Sequence, residues 1–143
     1  MAYFELRTAR DMLQKANREH HRLAECLDID NLFNFFVTAY HISDYVRNTN
    51  AVPQVVLDTF LQDQDIKDCR DLCDKGKHLT LTKRADPTTH MWSGCLNGAP
   101  LNTLPLNGGG KWVLLTGNRE VDVKWLSERV LSKWEVFFST NSI

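Results

Sequence analysis

The residues that could do chemistry fall in two stretches. NLFNFFVTAYHISDYVR (31–47) carries His41 and Asp44, and RDLCDKGKH (70–78) carries Arg70, Asp74, Lys77 and His78. Residues three and four apart are neighbours on a helix, so His41 can hold Asp44 or share a ligand with it. His41 and Asp44 with Asp74 and His78 would make a donor set of two imidazoles and two carboxylates for a transition metal. Alternatively, Lys75, Lys77, Lys83 and Arg84 surround His78 in sequence. Such cations can hold a phosphodiester while an imidazole moves protons at neutral pH. Each feature also has a structural explanation. His41 suits a buried hydrogen bond. His78 complements the negative end of a helix. The basic run suits a solvated edge that balances the acidic segment before it.

Other motifs fail. Gly110-Lys111 follows a glycine run, but Trp112 stands where a phosphate-binding loop needs Ser or Thr, and the strand follows the loop instead of preceding it. There is no G-x-S-x-G and no H-E-x-x-H. Asp63-x-Asp65 lacks the glycine and terminal glutamate of a calcium loop. Of the four cysteines, Cys69 and Cys73 lie one helical turn apart, whereas Cys26 and Cys95 are isolated, so a four-ligand zinc site has no second pair. We read all four as reduced thiols.

The elements that must position these groups follow from apolar spacing. Leu6, Ala9, Leu13, Ala16, His20, Leu23 and Leu27 recur every three or four residues, predicting a long amphipathic helix over 3–27 with His20 on its inner face. Asp28 and Asp30 supply N-cap chemistry for a second helix over 31–47. Asn34, Thr38, His41 and Tyr45 make a polar line along it, with Asp44 at its margin, and Phe33, Phe35, Phe36, Val37, Tyr40 and Ile42 occupy its other faces. A mostly buried helix with such a line needs hydrogen-bond partners from another segment, and 70–78 is the best candidate. Asn48, Asn50 and Pro53 mark the turn into a third helical region over 53–75, broken near Gln62–Asp63. Val55, Val56, Phe60, Ile66, Cys69 and Cys73 are its expected inner residues. Asp58, Asp63, Asp65, Asp68, Asp71 and Asp74 give it an acidic outer face, expected to be solvated. Lys75 and Gly76 suit its last turn and cap.

Beyond it, Leu79–Thr82 and Thr89–Trp92 suit short strands and Lys111–Leu115 a further one. Pro87, Pro100, Pro105 and the glycine run make 85–110 mainly loop, and TGN turns the chain towards a last helix. Asp122 is its N-cap, and Val123, Leu126, Val130, Trp134 and Phe137 are its inner stripe. The expected fold is one mainly α domain over 1–143: a four-helix-type bundle with a small β-hairpin and long loop inserted at about 79–117 before the last helix.

A chain of 143 residues with 43% hydrophobic and 24% charged residues supports one folded core. A net charge of −1 excludes a surface that is basic overall and allows a local basic patch. The N-terminal segment lacks an apolar signal core, and no run reaches the length of a membrane span, so the expected location is cytoplasmic, away from membranes.

AYHISDYV with RDLCDKGKHLTL resembles small phage and bacterial helical proteins of unassigned role that carry A-[YW]-H-x-x-D-[YW] and R-[DI]-x-x-[ND]-x-x-K-H segments. The similarity extends over 31–82 and, more loosely, to the tryptophan-rich last helix. In outline such proteins look like HEPN-type bundles, which include metal-independent ribonucleases of toxin and phage-defence systems. Their signature is an arginine followed a few residues later by a histidine. Here Arg70 and His78 have seven residues between them, a wider spacing, and the polar residue after the arginine is Asp71. The resemblance implies RNA binding or cleavage without a cofactor, with His41, Asp44, Arg70 and His78 at the chemistry. Asn34, Tyr40, Asp74, Lys77, Lys83 and Arg84 would contact substrate. It also implies a homodimer, for which Trp92, Trp112 and Leu115 are candidate contacts. The alternative is a non-catalytic protein-interaction domain whose buried His and Asp network is structural.

Overall fold

The computed structural model describes residues 2–92 and 111–143. Its elements are α1 (Ala9–Glu25), α2 (Ile29–Asn48), α3 (Gln54–Phe60), α4 (Gln64–His78), β1 (Thr88–Trp92), β2 (Lys111–Thr116), β3 (Arg119–Asp122) and α5 (Val123–Thr140). The protein is thus mainly helical, with a small antiparallel sheet of order β1-β2-β3 before the last helix.

Helices α1, α2, α4 and α5 begin where side-chain capping places them, and α3 follows Pro53 without a side-chain cap. α1 starts at Thr8, not at residue 3, because Thr8 and Asp11 form a reciprocal capping box that satisfies the first backbone N–H groups. Asp28 caps α2, Asp63 caps α4 and Asp122 caps α5, each by accepting from backbone N–H groups of the first turn. The expected break in the third region is real: α3 ends at Phe60, and Asp63 restarts the chain as α4.

α2 runs through the middle of the molecule, packed on α1 along one flank and α4 along the other. Phe35, Ala39, Ile42 and Val46 are fully buried. α5 closes the core with Leu126, Val130 and Trp134, and the Trp134 ring lies 4.5 Å from Phe60 and 5.6 Å from Phe137, centroid to centroid. Ala9, Leu13, Ala16 and Leu23 bury the inner face of α1, and His20 sits edge-on to Phe35 at 5.4 Å.

Five expectations need correction. Leu79–Thr82 is not a strand, since the chain here turns sharply and Leu81 tucks inward with its N–H on Asp86. The sheet has a third strand, β3, because Gly117 supplies the positive φ of 57° that a tight hairpin needs and folds TGN back on β2. Gly76 does not cap α4. It lies inside the helix, where a Cβ would come 2.9 Å from the Phe33 ring, and Leu79 takes the left-handed cap position with φ 66°. Val55 points outward and Leu57 inward in α3. Finally, the acidic face is mostly not solvated. Asp68 and Asp71 are buried, and Asp63, Asp65, Asp68, Asp71 and Asp74 all carry ion pairs to Arg or Lys from α4, α5, β3 or the 79–87 turn. Asp58 stays exposed beside Gln54.

No helix among the described residues is long and apolar enough to cross a membrane.

Candidate functional site

The polar line of α2 does meet α4, but it divides between the two flanks. Thr38 turns to α1, where the Lys15 ammonium donates to its Oγ1 at 3.0 Å and to Glu19 Oε1 at 2.9 Å. His41 turns to α4. Its Nδ1 lies 2.6 Å from the Val37 carbonyl one turn earlier, a contact that requires a proton on Nδ1. In the neutral ring this leaves the lone pair on Nε2, facing the Lys77 ammonium at 3.4 Å and Asp44 Oδ2 at 3.9 Å. Asp44 is held in turn by Arg47 at 3.1 Å.

One stripe of α4 answers α2, because positions 70, 73, 74 and 77 recur at helical spacing. Arg70 donates Nε and Nη2 to Asp71 Oδ1, both at 3.2 Å. Arg84 reaches back from the turn after α4, donating to Asp71 at 2.7 Å and to Asp74 at 2.7 Å. Burial alone would lower the Arg84 pKa; the hydrogen bonds of Asp74 and Asp71 outweigh it and hold the guanidinium more firmly charged. Lys75 similarly grips both oxygens of Asp86 at 2.9 Å. Tyr40, half-buried, feels Arg70, Asp74 and Asp44 together. Burial raises its phenol pKa, and the Arg70 charge offsets that only in part.

The structure therefore brings together Tyr40, His41, Asp44, Arg70, Asp74, Lys77 and Arg84. It does not bring in the remaining expected residues. Asn34 is exposed, two turns before His41 on α2. His78 and Lys83 are exposed around the end of α4. Eight positions on a helix turn through about 80° and advance about 12 Å, so Arg70 and His78 do not face one phosphate from a single helix.

Cys73 is the residue of this cluster that the sequence reading left to packing. Its Sγ lies 3.9 Å from His41 Nδ1, so Cys73, His41 and Asp44 stand in the order nucleophile, base and orienting carboxylate. The chemistry fails on the thiol. Cys73 has no exposed surface, burial pushes its pKa up to about 11, and the Nδ1 proton is already directed to Val37. A neutral, enclosed thiol is a poor nucleophile. Spacing could have found Cys73, since it lies three residues after Arg70 and four before Lys77. Nor does the two-imidazole, two-carboxylate set assemble: among the described residues no three His, Cys, Asp or Glu side chains converge as metal ligands. Cys95 lies outside the described residues.

Of the expected dimer contacts, Trp112 is half-buried and Leu115 is at the edge of exposure. Trp112 also lines an apolar groove of about 280 Å³ with Ile29, Leu32, Phe33, Phe36 and Leu72.

Compared with protein families, with curated proteins and with solved structures, the chain gives no match.

Proposed function

We propose that this chain is a non-catalytic protein-interaction domain of four-helix-type, HEPN-like outline, in which the α2–α4 polar network fixes packing. One observation carries this. His41, Asp44, Arg70, Asp74 and Arg84 each already have a partner within the chain, so Arg70 and Arg84, two of the cations that would hold a phosphodiester, are committed to Asp71 and Asp74. A partly buried polar network paired around the buried Asp71 favours one way for the two helices to meet. The neighbouring surface supports binding over chemistry, since Ile29, Phe33 and Leu79 are exposed apolar side chains.

RNA binding or metal-independent cleavage by a homodimer is the second proposal. Its support is the set Lys77, His78 and Lys83, exposed close together in sequence around the end of α4, with the His41 ring 3.4 Å from Lys77.

One experiment separates the two. RNA is incubated in EDTA with the parent protein and with His41→Ala and His78→Ala variants, and each variant is also melted. The interaction domain predicts no cleavage by any of the three. It also predicts that His41→Ala loses about 1 kcal/mol, about 3 °C in Tm, while His78→Ala melts with the parent. Cleavage by the parent that disappears in His78→Ala at unchanged Tm would overturn it in favour of the nuclease.

A further inference from the structure

We draw no further inference here: the strongest candidate, the apolar groove between the start of α2, the end of α4 and the β1–β2 face, carries nothing because nothing among the described residues shows what covers it.

Discussion

Gly76 and Phe33 offer a direct test of how closely α2 and α4 approach. A methyl group at position 76 would sit 2.9 Å from Phe33 Cδ2 and 3.0 Å from Cε2, closer than carbon atoms tolerate, so the ring must move. Phe33 is 43% exposed and has solvent to move into. Replacing glycine by alanine within a helix is worth roughly 0.5–1 kcal/mol. A fully buried phenyl ring is worth up to about 3 kcal/mol, so a half-buried one stands to lose up to about 1.5 kcal/mol if expelled. In the parent these effects nearly cancel, and Gly76→Ala should change stability by less than about 0.5 kcal/mol. In a Phe33→Ala background the clash is gone, and the same substitution should stabilise by its full helix-propensity gain. Urea unfolding of the four proteins closes a double-mutant cycle with an expected coupling of about 1 kcal/mol. Equal stabilisation in both backgrounds would refute the close approach.

Other outcomes follow from single contacts. Arg119→Met leaves the buried Asp68 carboxylate without the guanidinium that meets both its oxygens at 2.8 and 3.0 Å. Because Arg119 is itself partly exposed, a loss of about 2 kcal/mol in urea unfolding is expected, and a loss below about 0.5 kcal/mol would show the pair to be incidental. Thr8→Ala removes half of the α1 capping box and should cost about 1 kcal/mol, which thermal melts would register. Burial acts to raise the Glu19 pKa, but Lys15 and Arg22 outweigh it and hold the carboxyl below its ordinary 4.5. The folded state therefore binds this proton less readily than the unfolded chain. The stabilisation is present above about pH 4.5 and is lost as pH falls through the lower folded value. Glu19→Gln should be less stable than the parent at pH 7 and flatter on the acid side, and parallel stability–pH curves would contradict this assignment. In a Cys95→Ser background, a disulfide reagent at pH 8 should titrate Cys26, whose thiol pKa is also raised by Asp28 but which is exposed, and reach Cys69 and Cys73 only in denaturant, because both are buried. Fast reaction of a second thiol in the native protein would place Cys73 in the open.

Periodicity was enough to find α1, though not its start at Thr8, and with capping residues to locate α2, α5 and the break between α3 and α4. Local hydrogen bonds at Thr8, Asp28, Asp63 and Asp122 decide helix starts, and those depend on neighbours in the chain. The same spacing rule places Tyr40, His41 and Asp44 on one helix and Arg70, Asp74 and Lys77 on another, but of the polar line only Thr38 is buried and it turns to α1, so packing decides which of these groups meet α4. What lay beyond the sequence was which charges would be consumed. An aspartate-rich helix face looks solvated until α5, β3 and the turn at 79–87 deliver Lys133, Arg129, Arg119 and Arg84 to it from distant positions. Gly76 looks like a helix stop until Phe33 is seen to occupy the space where its side chain would be. Cys73 looks like packing and is packing, yet it stands beside His41 because two helices cross there. Composition and spacing act over a few residues; ion pairing, close approach and the enclosure of a thiol are set by segments that only the folded chain brings within a few ångströms.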